Sequence, residues 1–291
     1  LRVIVPFGAG SAVDANGRYI ADALAKELGQ PVVVDNKPGA DGAIGVSAVK
    51  YAPPDGYTLL LASNSTLTVN PVTIKNLPYD PVKDLKPLGG ITRGMMVFVV
   101  PADSRIKTPA DLVDAMKKAP ESLNVGTYSS GYRLAIEWFT ALAGVKFTNV
   151  PYKGSAPMFT DVVGGRLDWG ATDLIGASEL VKAGKMRAVA VSGNARHPEY
   201  PDVPTLKESG YPDYVNYTWS ALYVRADTPE NVTKVLADAL QKVLAQPAVA
   251  EFAKRSKLEM MALPPAEMRK FQLDETARWK SVADRAGIKP E

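Results

Sequence analysis

Short apolar runs and longer amphipathic ones alternate from the first residues of this chain, and that alternation narrows its fold more than any other feature. A strand, a crossover helix and a second strand build a parallel sheet with helices on its faces. Val3–Val5 reads as a strand. Val13–Leu28 follows, with Val13, Ile20, Ala23, Leu24 and Leu28 at mostly three- and four-residue spacing, the apolar stripe of a helix. QPVVVDNKPG is a second strand closed by a Pro-Gly turn. GAIGVSAVKYA is a small-residue helix stopped by PPDG, and YTLLLASNS is a third strand that ends in polar residues. This is half of a doubly wound sheet.

The same logic recurs further on. GMMVFVVPADS is a buried strand broken by Pro101, and TPADLVDAMKKAP is a helix with Thr108 as N-cap and Pro109 in its first position. LNVGTYSSGYRLAIEWFTALAG is again strand, Gly/Ser turn and amphipathic helix. FTNVPYKGSAPMFTDVVGGRLDWGATDL, KMRAVAVSG and the aromatic strand YTWSALYVRADTP continue the pattern, and three helices close the chain: ENVTKVLADALQKVLAQ, PAVAEFAKRSK and one from PPAEM onward. The fold expected is α/β with two lobes, each a sheet with flanking helices. Residues 1–100 and 220–291 form lobe 1, and 101–219 form lobe 2, inserted. The chain crosses between lobes near residues 100 and 220, so a cleft and a hinge are expected.

Composition removes several kinds of chemistry. The chain has no cysteine, hence no disulfide, thiolate metal site or cysteine nucleophile. Its one histidine, His197, sits in the Pro-rich loop ARHPEYPDVP, where a solvated surface role is the ordinary one; a Ser–His triad or a multi-histidine metal site finds no partners. The net charge of +3 is scattered, with no basic stripe for nucleic acid. No apolar run approaches the ~20 residues that span a bilayer. The chain opens abruptly at LRVIVPF, as a mature chain does once an export signal is removed, or as a trimmed one does.

Four loops carry the chemistry, each at the carboxyl end of a strand, where a ligand crevice of an α/β sheet forms. FGAGSAVD has the Gly8–Gly10 spacing of a dinucleotide loop, but Val13 stands where the third glycine belongs, and no Gly-Lys-Ser/Thr follows. What survives is a Gly-rich turn at a helix N-terminus, where free N–H groups and the helix dipole favour an anion such as a carboxylate. The plain alternative is a tight turn capped by Ser11. TYSSG, Thr127 to Gly131, holds the same place in the second lobe. ASNSTLTVNP offers Ser63, Asn64, Ser65 and Thr66, and PYKGSAP offers Tyr152 and Lys153. Each alone could be a cap or turn. The aspartates are spread out, and no catalytic constellation is visible.

Taken together, RVIVPFGAGSAVDANGR, VVVDNKPGADGAIGVSAVKYAPPDGYTLLLASNST, VPYKGSAPMFTDVVGGRLD and GKMRAVAVSGNARHPEYPDVPTLKESGYPDY resemble the extracytoplasmic solute receptors of the tripartite tricarboxylate transporter family, often called the Bug family. The resemblance runs through essentially the whole chain, in order. It implies a periplasmic binding protein of the type II Venus-flytrap kind: a monomer without cofactor or metal, not an enzyme. Such a receptor catches a small carboxylate in the periplasm and hands it to a membrane permease. The ligand residues it implies in lobe 1 are Phe7, Gly8, Ala9, Gly10, Ser11, Ala12 and Asp14, with Ser65 and Thr66. In lobe 2 they are Thr127, Ser129, Ser130, Gly131, Tyr152 and Lys153; Tyr132, Arg133, Thr172 and Asp173 join them as candidates from this chain's own residues, at positions where it departs from the family. Asp14 is expected to shape the turn rather than meet the anion. A sensing receptor for a signalling partner and a two-lobe enzyme of porphobilinogen deaminase-like fold are the alternatives.

Three departures from the family pattern bear on the ligand. The loop before Asp14 reads Gly-Ser-Ala-Val. Tyr132-Arg133 stands where Gly-His is common, and Thr172 stands where many members have Asp, although Asp173 follows at once. Arginine in the first turn of a helix opposes the macrodipole by a few tenths of a kcal/mol. A bidentate contact with a carboxylate offers roughly 1.5–3 kcal/mol per charged hydrogen bond, which would offset the misplacement. The ordinary alternative for Arg133 is a solvated helix face, and for Tyr132 it is lobe packing rather than a wall against a planar ring. The ligand expected is a dicarboxylate, aromatic ones included, with one carboxylate per lobe.

Overall fold

The computed structural model describes residues 1–290, the side chain of Ala12 excepted. In chain order the first elements are β1 (Arg2–Val5), α1 (Ala12–Leu28), β2 (Val33–Asn36), α2 (Ala43–Lys50), β3 (Thr58–Ser63), α3 (Asn70–Thr73) and β4 (Leu85–Pro101). Then come α4 (Pro109–Lys118), β5 (Asn124–Thr127), α5 (Ser130–Ala143), β6 (Thr148–Pro151), α6 (Ser155–Val163), β7 (Trp169–Asp173), α7 (Leu174–Lys182) and β8 (Met186–Val191). The chain closes with β9 (Tyr217–Arg225), α8 (Glu230–Leu244), α9 (Pro247–Arg255), β10 (Leu258–Leu263) and α10 (Pro265–Ala286).

These elements form two compact units. Unit 1 comprises Leu1–Arg93, Trp219–Asp284 and residues 288–290; unit 2 comprises Gly94–Thr218 with Arg285–Gly287. The division falls inside β4 and inside β9.

In unit 1, β1 lies between β2 and β3, parallel to both, and β9 pairs antiparallel with β3. Side chains of a strand alternate between its faces, and here the alternation sorts them into two cores. Val3, Val5, Leu59 and Leu61 pack with Ile20 and Leu24 of α1 and with Leu236 and Leu240 of α8. Ile4, Leu60 and Ala62 pack on the other face with Val46 and Val49 of α2 and Met268 of α10. Both faces of β1 and β3 are covered, so Val3–Val5 and Leu59–Ala62 form continuous buried apolar runs.

Unit 2 repeats the plan. β5 is parallel to β6 and β7, and β4 runs antiparallel to β7 and β8. Val97 and Val99 join Met158, Val162 and Leu174 in one core. Phe98 points the other way, with its ring 5.2 Å from Phe139 and 5.1 Å from Trp169. At the start of α4 the expected cap is present as a capping box: Asp111 N–H donates to Thr108 Oγ1 at 3.1 Å, and Thr108 N–H donates to Asp111 Oδ2 at 2.9 Å.

The structure corrects the sequence reading in three places. The sheets are mixed, not parallel, because β4 and β9 enter antiparallel. The strand read from Gly94 begins at Leu85, and LEMMAL forms the unexpected β10. The polar end of the third strand turns at once into a π-helical turn, Ser65–Val69, and then α3. Its hydroxyls bind backbone locally: Thr68 Oγ1 donates to Asn64 O at 2.7 Å.

Candidate functional site

β1 and β3 are parallel neighbours in register from Arg2↔Thr58 to Ile4↔Leu60, so the loops after them leave the same end of the unit 1 sheet. In the first loop Gly8, Ala9 and Gly10 are exposed, and Phe7 and Ser11 are half-buried. Ser11 is extended (φ −69°, ψ 159°), and its Oγ accepts the Asp14 N–H at 3.2 Å, so it is the N-cap of α1. Gly10 takes a left-handed φ of 81°, which a residue with a Cβ rarely adopts. The Gly8 and Ala9 N–H groups donate to nothing among the described residues. They therefore stand exposed at the positive end of a 17-residue helix. The side chain of Ala12 lies outside the described residues.

Asp14 is the organiser of this loop. It is 3 % exposed, and its Oδ2 accepts the Gly10 N–H at 2.9 Å and Arg18 Nε at 3.1 Å. Its Oδ1 accepts Asn36 Nδ2 at 2.8 Å. Burial pushes the carboxyl up, but the bonds from Gly10, Arg18 and Asn36 outweigh it and hold Asp14 below its ordinary value. With its oxygens occupied, Asp14 shapes the turn.

The loop after β3 is buried: Ser63, Asn64, Ser65 and Thr66 are all covered. Thr66 Oγ1 accepts the Ser63 N–H at 3.2 Å and donates to Ser63 O at 3.1 Å, so it closes its own turn. The entry of α2 wedges between the two loops. A Cβ on Gly42 (φ 86°) would stand 2.6 Å from Thr66 Cγ2 and 3.2 Å from Pro6 Cβ, which explains the glycine of NKPGADGAIG. Just before it Ala40 and Asp41 have φ of 47° and 50°. Left-handed non-glycine residues cost about 1–3 kcal/mol each and persist only where neighbours hold them. Asn70 Nδ2, donating to Asp41 O at 2.9 Å, is one such hold.

In unit 2, β5, β6 and β7 are parallel, so Tyr128–Ser130, Tyr152–Lys153 and Thr172–Asp173 gather at one sheet end. Ser129 is extended (φ −159°, ψ 159°) at the N-cap of α5, but its side chain caps nothing, and its Oγ is buried without a partner. Thr127 Oγ1 donates to Asn149 Oδ1 at 2.7 Å. Gly131 is buried in the first turn of α5. Tyr132 is 7 % exposed, its ring 4.5 Å from that of Tyr128, whose hydroxyl lies 2.8 Å from Thr172 Oγ1. Asp173 accepts a hydrogen bond from Tyr132, and its Oδ1 lies 2.8 Å from Thr218 Oγ1. Burial outweighs those bonds and raises the Asp173 carboxyl above its ordinary value. It also raises the Tyr132 hydroxyl, with the Asp173 charge adding to the shift.

Arg133 is half-exposed, with Nε 3.9 Å from Glu137 Oε1 one turn on. Tyr152 donates its hydroxyl to Asp161 Oδ2 at 2.7 Å, and Lys153 is exposed. The structure thus joins Tyr132, Thr172 and Asp173 in one network, and it ties Tyr152 to α6 and Thr66 to its own turn. It also adds residues that sequence reasoning passed over: Asn36 and Arg18 behind the first loop, and Tyr128 and Thr218 in the second cluster. Tyr128 lay within the quoted TYSSG; the others needed strand pairing to be found. Among the described residues no group of three or more His, Cys, Asp or Glu could hold a metal ion, and no helix is long and apolar enough to cross a membrane.

Known proteins are similar to this chain in sequence and in fold. The family model described as the tripartite tricarboxylate transporter family receptor matches residues 17–288. A protein of Agrobacterium vitis, encoded in the TAR-I ttuE-ttuC' intergenic region, is 37% identical over 99% of this chain and 84% of its own. Among solved structures, R. palustris Rpa4515 with adipate is 31% identical, with a TM-score of 0.95 over 100% of this chain and 98% of that one. MatC (Rpa3494) of Rhodopseudomonas palustris with bound malate is 27% identical, with a TM-score of 0.90 over 97% and 98%. The resemblance read from the four sequence segments holds: this chain belongs to the tripartite tricarboxylate transporter receptor family, a family of solute receptors rather than enzymes.

Proposed function

We propose that this protein is a periplasmic receptor for a small dicarboxylate, which it delivers to the membrane permease of a tripartite transporter. The observation that carries the reading is the first loop: the free N–H groups of Gly8 and Ala9, at the head of α1, in a turn that Asp14 locks from behind. A carboxylate there meets backbone donors and the dipole with no side-chain rearrangement. The second carboxylate goes to the head of α5, where Ser129 Oγ has no partner and Arg133 offers a cation from the first turn. Adipate and malate, the ligands of two similar receptors, are both dicarboxylates of this kind.

Lobe closure on the bound anion, with hinges in the two strands that the chain uses to pass between units, is the mechanism proposed. Contacts made only in the closed state shift the open–closed equilibrium. Micromolar affinity needs about −8 kcal/mol net, within reach of two charged anchors and a buried carbon skeleton. The test is a thermal-shift screen of mono-, di- and tricarboxylates, aliphatic and aromatic, followed by calorimetry. A ligand at a hundred times its dissociation constant adds about 2.7 kcal/mol of stability. Dicarboxylates are expected to lead the screen. A screen in which no carboxylate stabilises the protein defeats the proposal. Arg133→Ala is expected to weaken the best dicarboxylate, and unchanged affinity removes Arg133 from the site.

A further inference from the structure

The amides of the first loop hold their direction only if something fixes the loop against the sheet and against α1. Glycines at 8 and 10 give it no rigidity of its own. One side chain makes both attachments. Asn36, the last residue of β2, directs Nδ2 at two acceptors: Phe7 O at 3.0 Å, on the loop itself, and Asp14 Oδ1 at 2.8 Å, in the first turn of α1. On its other side Oδ1 accepts from Arg18 Nη2 at 2.9 Å, and the same guanidinium reaches Asp14 Oδ1 at 3.1 Å. Asp14 in turn accepts the Gly10 N–H. Loop, helix and neighbouring strand thus close through one carboxamide. Pairing with β1 sets its place, since Val5 and Asn36 are register partners at the last position of the two strands.

The chemistry admits few other side chains. The group must donate twice on one side, once to a carboxylate, and accept from a guanidinium on the other. An aspartate of the same shape fails, because it cannot donate to Phe7 O and would set a second carboxylate against Asp14.

We propose that Asn36 is the positioning residue of the carboxylate loop: it touches no ligand, and through Phe7 O and Asp14 it holds the Gly8 and Ala9 amides in the direction the anion needs. The inference rests on the receptor reading given above, and its test separates the two. Asn36→Asp, which keeps the shape, and Asn36→Ala are compared with the unaltered protein in two measurements. The first is the exchange rate of the Gly10 amide by NMR in the ligand-free protein, which reports the Gly10–Asp14 bond whether or not a ligand is known. The second is adipate affinity by calorimetry, with thermal melting as the control for overall folding.

The expected result is Gly10 exchange faster by about tenfold in both variants, adipate binding weaker by about tenfold or more, and amides of the β1 and β3 core still protected. Unchanged Gly10 exchange overturns the proposal, and so does faster exchange with unchanged affinity. If the unaltered protein fails to bind adipate and the other dicarboxylates, the receptor reading falls by itself, and the Gly10 exchange still decides whether Asn36 holds the loop.

Discussion

The two units present the same device, a polar loop at the head of a helix beyond a parallel strand, and finish it in opposite ways. In unit 1 the loop is locked from behind. Ser11 spends its hydroxyl on the helix cap, Asp14 is held below its ordinary pKa by Gly10, Arg18 and Asn36, and the donors left over are backbone N–H groups. In unit 2 Ser129 caps nothing, and the carboxyl of the neighbouring network, Asp173, is pushed up by burial despite the Tyr132 and Thr218 hydrogen bonds. A pre-formed turn needs no rearrangement to receive an anion. A loop with an uncommitted hydroxyl keeps that hydrogen-bonding capacity for the bound state. On the proposed function, the first unit would supply the fixed anchor and the second the adaptable one.

The contrast can be broken in order of effect. Asp14→Ala strips the acceptor from Gly10, Asn36 and Arg18 at once and should destabilise the protein by about 3 kcal/mol in urea unfolding at pH 7; a loss below ~0.5 kcal/mol would mean that the lock is not structural. Next is Asn16→Ala. Asn16 Nδ2 donates to Thr92 Oγ1 at 2.9 Å and Ser220 Oγ at 2.8 Å, binding α1 to β4 and β9 inside unit 1. Its removal should cost about 1–3 kcal/mol, read as a lower urea midpoint with an unchanged slope.

The capping serines give a smaller and sharper comparison. Ser11→Ala should cost about 1 kcal/mol. Ser129→Ala should leave stability within ~0.5 kcal/mol and weaken the dicarboxylate instead. Equal effects on stability would erase the distinction between the loops. The last pair is Asp14 against Asp173 under acid. Asp14 sits below its unfolded value of 3.8, so its stabilisation is complete above about pH 4 and is lost as pH falls through the folded pKa. Asp173 sits above its unfolded value, so its charged form is a penalty at neutral pH that disappears as pH falls. Asp173→Asn should therefore gain stability at pH 7 and nothing near pH 3, in melts recorded across that range, while Asp14→Asn should lose stability at pH 7 and converge with the unaltered protein in acid.

What the sequence allowed a reader to see follows from how local each signal is. Ser11 as a cap, Thr108 as a cap and Asp14 as a turn-former are contacts within one helical turn, and all were legible. Asn36 was not, because its meaning depends on β2 pairing with β1 and so bringing a residue 22 positions away onto Asp14. Thr218 meets Asp173 across 45 residues for the same reason. LEMMAL escaped because its residues are mostly half-buried, without the alternation that marks a strand. STLTV carries β-branched residues that favour a strand by propensity, and the structure bends them into a π-helical turn because their hydroxyls satisfy the backbone locally.

The account stands or falls on where the carboxylate binds. Backbone-amide NMR during a titration with dicarboxylates, adipate first, reads this directly. The account predicts saturable shifts at Gly8, Ala9 and Ser129, in both units together and with one affinity. Binding that leaves those amides unmoved, or saturates in one unit alone, would contradict it.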